Sequence, residues 1–144
     1  MSDTIETLWA QFVIESEEHL ELIEPLLLEA EEKTLIRDEV DQLFRSFHSI
    51  KGLAKAMDLL GMESIAHSAE DILGLVRDEV IIIDAKLADA LLLATDELKQ
   101  HLQVAESTRQ NQTPDDELIC KLQHIFTVKI GIRQINFLKT KQKY

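Results

Sequence analysis

Cysteine, proline and glycine are nearly missing from this chain, and aromatic residues are few. Its 144 residues include one Cys, two Pro and four Gly, with five Phe, one Trp and one Tyr. A lone Cys120 cannot close an internal disulfide, which predicts a reducing compartment and a fold that does without covalent staples. The glycines are scattered at 52, 61, 74 and 131. They leave no glycine-rich loop to cradle a nucleotide's phosphates. A nucleotide-binding domain is therefore expected elsewhere, in another protein or in a longer polypeptide of which this is a piece. No apolar run approaches the length needed to cross a bilayer, and Met1–Glu6 carries neither the basic start nor the apolar core of an export signal. Membrane insertion is not expected, and a cytoplasmic location is.

Positive charge is also scarce over most of the length. Residues 1–117 hold all 27 acids but only 9 of the 15 basic residues, a balance of −18. Residues 118–144 reverse this, with the remaining six basic residues and no acid, against a net charge of −12 for the whole chain. A field of that overall sign repels nucleic acid and anionic lipid, and the short basic tail does not reverse it. What is plentiful is apolar surface: 45% of residues are hydrophobic and 29% charged. That balance suits one folded domain of ordinary size, monomeric if isolated.

Sparse breakers among good helix formers predict an all-α fold. Residues 4–32 form one amphipathic helix with Ile5, Leu8, Phe12, Leu20, Ile23, Leu27 and Ala30 inward, and with a kink expected at Pro25. A second helix runs from about Asp38 to Leu60, with Asp38, Glu39 and Asp41 at its positive end and Gly61 as its stop. Its stripe is Val40, Leu43, Phe44, Phe47, Ile50, Ala54 and Met57. The third covers 62–79, with Met62, Ile65, Ala69, Ile72, Leu73 and Val76 inward. Val80–Ile83 reads as a buried connector, and Asp84 as the N-cap of a fourth helix over 85–106. That helix turns Leu87, Ala90, Leu91, Ala94, Leu98 and Leu102 inward. After a polar loop over 107–112, Thr113 caps a fifth helix with Pro114 in its first turn, ending near Lys129. The economical packing is an up-down four-helix bundle with an additional C-terminal fifth helix. The domain is then 1–129, with 130–144 a basic tail or linker.

The chemistry lies on the second and third helices. At 100° per residue, His48 projects about 110° from the centre of its helix's apolar stripe, on the flank. Lys51 and Gly52 lie one turn on, and Lys55 one turn further. A flank histidine taken alone is most often only that. Gly52 costs about 1 kcal/mol of helix stability relative to Ala, so it asks for a reason: close approach by another protein, or relief of crowding between helices.

The stretch Phe44-Arg45-Ser46-Phe47-His48-Ser49-Ile50-Lys51-Gly52-Leu53-Ala54 resembles the phosphorylation-site helix of histidine phosphotransfer domains, especially the N-terminal domain of CheA-type chemotaxis kinases. The likeness continues in Ala66-His67-Ser68-Ala69-Glu70-Asp71-Ile72-Leu73. It covers residues 44–76 as motif and roughly 5–128 as architecture. The resemblance implies that His48 is phosphorylated on Nε2 and that Glu70 accepts a hydrogen bond from Nδ1–H. It also implies that Lys51 stabilises the phosphoryl oxygens, that His67 supports Glu70 or the phosphate, and that Gly52 admits the partner. Lys55 lies on the same docking side, though a solvated charge is the simpler reading for it. The implied partners are a histidine kinase catalytic domain and a response-regulator receiver domain, with Mg²⁺ brought by the partner and no bound cofactor. Leu53 departs from the family pattern, where a small residue is common, and Pro25 is also unusual.

Two other readings compete with the phosphocarrier. One is a plain helical interaction module in which His48 is incidental. The other is a metal-carboxylate bundle, which places Glu three residues before His. Here Ser16, Arg45, Ser64, Leu98 and Lys121 stand three before the five histidines, so that motif is absent and no metal ligands are assigned. Cys120, among Leu118, Ile119 and Leu122, reads as a packing residue, and Trp9 as an anchor between the first helix and a neighbour.

Overall fold

The computed structural model describes the backbone of residues 2–142 and the side chains of residues 3–131. It contains five helices: α1 (Ser2–Ala30), α2 (Arg37–Ala56), α3 (Leu60–Arg77), α4 (Ala85–Thr108) and α5 (Asp116–Gln142). α1 packs on α2 and α4, and α3 packs on α2, α4 and α5. The first four helices thus close a ring around one core, and α5 lies outside it against α3 and α4.

Periodicity explains the ring. Every inward position read for α3 and α4 is buried, as are Phe12, Leu20, Ile23, Leu27 and Ala30 of α1. Ile5 and Leu8 are not: each is about half exposed, at 51% and 56%. α1 is 29 residues long and outruns the 20-residue α2 and 18-residue α3. Its first turns reach the end of α4, where Arg109 pairs with Glu6 and lies over the Trp9 ring. Trp9 also meets Phe12 edge-on, so it does anchor this end. The helix continues through Pro25.

The helix boundaries differ from expectation at the α2–α3 junction and at both ends of α5. α2 stops at Ala56, not Leu60, and Gly61 is not its stop. Asp58 takes a left-handed backbone (φ 59°), with Leu59 N–H donating to Ala54 O at 2.9 Å and Asp58 N–H to Lys55 O at 3.1 Å. This is the paired bonding of a Schellman cap, built on Asp rather than Gly. Gly61 instead opens α3. Its N–H donates to Asn111 Oδ1 at 2.7 Å, and a Cβ there would fall 2.0 Å from the Gln112 carbonyl oxygen.

α5 begins at Asp116 rather than after Thr113. Asp115 is the cap: its Oδ1 accepts from Glu117 N–H at 2.9 Å, while its own N–H donates outward to Glu97 Oε1 at 2.6 Å. The helix does not end near Lys129 but runs to Gln142. One glycine, Gly131, costs too little to stop a stretch that goes on with Arg, Gln and Lys. The side chains of the basic tail from residue 132 onward lie outside the described residues. Asp84 caps α4 as expected, accepting from Leu87 N–H at 2.8 Å. Cys120 is exposed rather than packed. Among the described residues no helix is long and apolar enough to cross a membrane.

Candidate functional site

α2 and α3 run side by side through a three-residue link, which sets residues of the two helices opposite each other in reverse order. The register brings the flank of α2 at His48 against the flank of α3 at Glu70. His48 Nδ1 lies 3.0 Å from Glu70 Oε1, and Lys51 Nζ lies 2.7 Å from Glu70 Oε2. The carboxylate is only 13% exposed, whereas the His48 side chain is 61% exposed. A mostly buried acceptor thus holds one nitrogen of an imidazole whose body stands in solvent. Since Glu70 as a carboxylate can only accept, the proton of a neutral His48 ring sits on Nδ1 and the Nε2 lone pair is free.

Glu70 stays ionised in this setting. Burial pushes its pKa up, but the contacts with Lys51 and His48 together outweigh that and hold it below the ordinary carboxylate value. Lys51 Nζ meets Oε2 as a close ion pair at 2.7 Å.

The remaining residues singled out in the sequence divide. Nothing lies within 4 Å of where a Cβ on Gly52 would stand. Crowding between helices is therefore not its reason, and the bare backbone faces open space one turn from His48. Lys55 is exposed and makes no ion pair among the described residues. His67 is not brought to Glu70. Its Nε2 lies 3.5 Å from Asp71 Oδ1 on its own helix, and both line a groove between α3 and α5 with Ser64, Gln123 and Thr127. Leu53 is half-buried against the core. Among the described residues no three His, Cys, Asp or Glu side chains converge as a metal site would require.

Two side chains were missed. Phe44, read as core, is half-buried and lies nearly parallel to the His48 ring, at 11° with 6.3 Å between centroids. Arg77, at the end of α3, carries its guanidinium 4.1 Å over the Phe44 ring. The spacing held the signal: Phe44 is one turn before His48 on α2, and Arg77 is two turns after Glu70 on the antiparallel α3.

A solvent-facing imidazole held by a mostly buried carboxylate thus stands on the flank of a four-helix bundle. The Hpt domain family model matches residues 7–108, and the chain belongs to that family. It is 33% identical over 98 residues to the chemotaxis protein CheA of Treponema pallidum, a match covering 68% of this chain and 12% of that protein. With CheA of Borreliella burgdorferi the identity is 28% over 97 residues, covering 67% and 11% respectively. The chain thus spans about an eighth of the length of these relatives. A crystal structure of the phosphorylated P1 domain of CheA3 in complex with CheY6 from R. sphaeroides superposes with a TM-score of 0.75 at 28% identity. That likeness covers 84% of this chain and 96% of the other.

Proposed function

We propose that the chain is a phosphocarrier that accepts a phosphoryl group on His48 Nε2 from a histidine kinase catalytic domain. It then delivers the group to an aspartate of a response-regulator receiver domain. The observation that carries this reading is the 3.0 Å contact of His48 Nδ1 with Glu70, which leaves Nε2 of an exposed ring unpartnered among the described residues. The Nε2 lone pair forms the bond to phosphorus as the bond to the leaving group breaks, and the leaving group keeps the electron pair. The ring becomes positive, and its Nδ1–H remains against the Glu70 carboxylate, which offsets the charge. Delivery reverses this: the receiver carboxylate attacks phosphorus, and Nε2 recovers its lone pair.

Lys51 keeps Glu70 ionised and stands one turn from His48, where its ammonium can meet phosphoryl oxygens. Gly52 leaves room for the partner's active site, with Lys55 at the rim. His67, engaged with Asp71, takes no part in this step. Mg²⁺ arrives with the partner, where it balances charge on the transferring group. The nucleotide site belongs to a kinase domain elsewhere, in another chain or in the same polypeptide, and a cytoplasmic location follows from access to it. The phosphorylated state and the CheY6 partner of the similar R. sphaeroides P1 domain support the reading.

The test is His48→Gln, incubated with a histidine kinase and labelled ATP. The variant keeps its helical circular dichroism and takes up no acid-labile label. Label retained at the wild-type rate, or mapped to His67, would refute the assignment.

A further inference from the structure

The Nδ1 contact with Glu70 pins one atom of the His48 ring. A single hydrogen bond still lets a planar ring swing about the bonded nitrogen, and an exposed side chain has little else to stop it. Solvent surrounds most of this imidazole, and the Phe44 ring is the planar neighbour that lies alongside it, near-parallel at 11° with centroids 6.3 Å apart. That separation falls within the range in which aromatic rings attract. Phe44 is itself restrained. Its backbone is one turn earlier on α2, and it is packed against the core cluster. The Arg77 guanidinium stands over its face at 4.1 Å, within cation–π reach. A Cβ on Gly74 would come only to 3.8 Å from Phe44 Cε2, so this part of α3 approaches the ring without crowding it.

We propose that Phe44, braced by Arg77, is a positioning residue that fixes the plane of the His48 imidazole, so that Nε2 is presented in one orientation. This rests on the phosphocarrier reading of His48. Orientation of a nucleophile matters because attack on phosphorus is in line with the leaving group. Glu70 sets which nitrogen attacks, and Phe44 sets the direction in which it points. A flat ring is the feature required; apolar bulk alone would fill the same space without defining a plane.

The experiment compares Phe44→Tyr, Phe44→Leu and Arg77→Gln with the unsubstituted protein, using phosphoramidate as donor so that no protein partner is involved. Side-chain coupling constants of His48 are measured by NMR on the same samples without donor. Tyr keeps a ring and holds the phosphorylation rate within about 2-fold. Leu keeps the bulk and slows it about 5- to 10-fold, while His48 couplings move toward rotational averaging. Arg77→Gln has the same effect at about 2- to 3-fold. Melting temperatures stay within about 3 °C, which separates positioning from unfolding. A wild-type rate in the Leu variant overturns the proposal, as does any rate loss that fails to track the averaging of the His48 side chain. Should the unsubstituted protein take no label on His48, the phosphocarrier reading fails instead. The couplings alone then still decide whether Phe44 restrains the ring.

Discussion

His48 meets Glu70 across two helices at 3.0 Å with 61% of its side chain exposed, whereas His101 meets Glu97 within α4 at 3.4 Å with 2% exposed. The two pairs have the same chemical composition and use opposite nitrogens. His48 turns Nδ1 to its carboxylate and leaves Nε2 to solvent. His101 turns Nε2 to its carboxylate and buries Nδ1 with no partner among the described residues. Glu97 is further committed, since its Oε1 also accepts the Asp115 N–H at the start of α5. A histidine–carboxylate pair therefore acquires its role from which ring nitrogen remains, and from whether water and a partner can reach it. The first pair can perform chemistry. The second ties the α4–α5 loop to the bundle.

The carboxylates carry the largest measurable contrast. Glu70→Ala removes the acceptor that fixes the His48 tautomer and frees Lys51 from its ion pair. Because an imidazole is largely neutral near pH 8 without help, the loss is one of orientation and charge compensation rather than of the nucleophile itself. Phosphorylation slows by about 10- to 100-fold. Glu97→Ala leaves the rate unchanged and lowers the melting temperature. The measurement is the kinase-dependent labelling rate with a melting curve on each variant. A Glu97 variant that labels slowly while fully folded would break the division between the two pairs.

The glycines near each pair sharpen the same contrast. Gly52, one turn from His48, has open space where a Cβ would be, while a Cβ on Gly61 would lie 2.0 Å from the Gln112 carbonyl oxygen and 3.0 Å from His101 Cε1. Gly61→Ala must push the 109–115 loop away from α3 and costs about 1–3 kcal/mol. Gly52→Ala removes a helix-interior glycine with nothing to displace, and stabilises by about 0.8–1 kcal/mol. Chemical denaturation of the two variants checks both signs. Gly52→Gln, whose Cβ likewise meets nothing within 4 Å, stays folded but slows transfer to a receiver domain. A normal transfer rate in that variant would show that the open space at Gly52 is not used for docking.

The sequence carried one of these two environments far better than the other. The His48–Glu70 contact follows from periodicity: both residues project about 110° from the centre of their apolar stripes, and a short link makes the two helices antiparallel neighbours. The core stripes of α3 and α4 were legible for the same reason. The clamp around His101 depends on a loop, Asn111 to Asp115, whose contacts join residues 50 apart in the chain, such as Gly61 and Asn111. No local pattern reports such a contact. Helix ends were hidden by a different cause. Asp58 and Glu79 adopt left-handed backbones at φ 59° and 61° where glycine is the usual occupant, so the glycine signal points to an end of α2 at Leu60, with Gly61 as its stop. Arg77 escaped because its partner is an aromatic face on another helix, not a charge at helical spacing.

The smallest effect concerns pH and separates the pairs by stability alone. Burial pushes the His101 pKa below the ordinary histidine value, and Glu97, pulling the other way, does not restore it. The folded protein therefore binds a proton at His101 less readily than the unfolded chain does. Between the lowered folded value and the unfolded value of about 6.5, the unfolded state holds more protons, so stability rises with pH there and is lost as pH falls. The physical cost is plain: protonation would put an N–H on the buried Nδ1, which has no acceptor among the described residues. Glu70, held below its ordinary value, adds an acid loss of the same sign but at lower pH, beneath the unfolded carboxylate value of about 4.3. Denaturant melts should thus lose stability in two stages on acidification, the first starting just below about pH 6.5. His101→Gln, which has no titrating ring, should flatten the first stage and leave the second. Persistence of the full first stage in that variant would assign it to another histidine, and the buried pair would then differ from the exposed one in accessibility only.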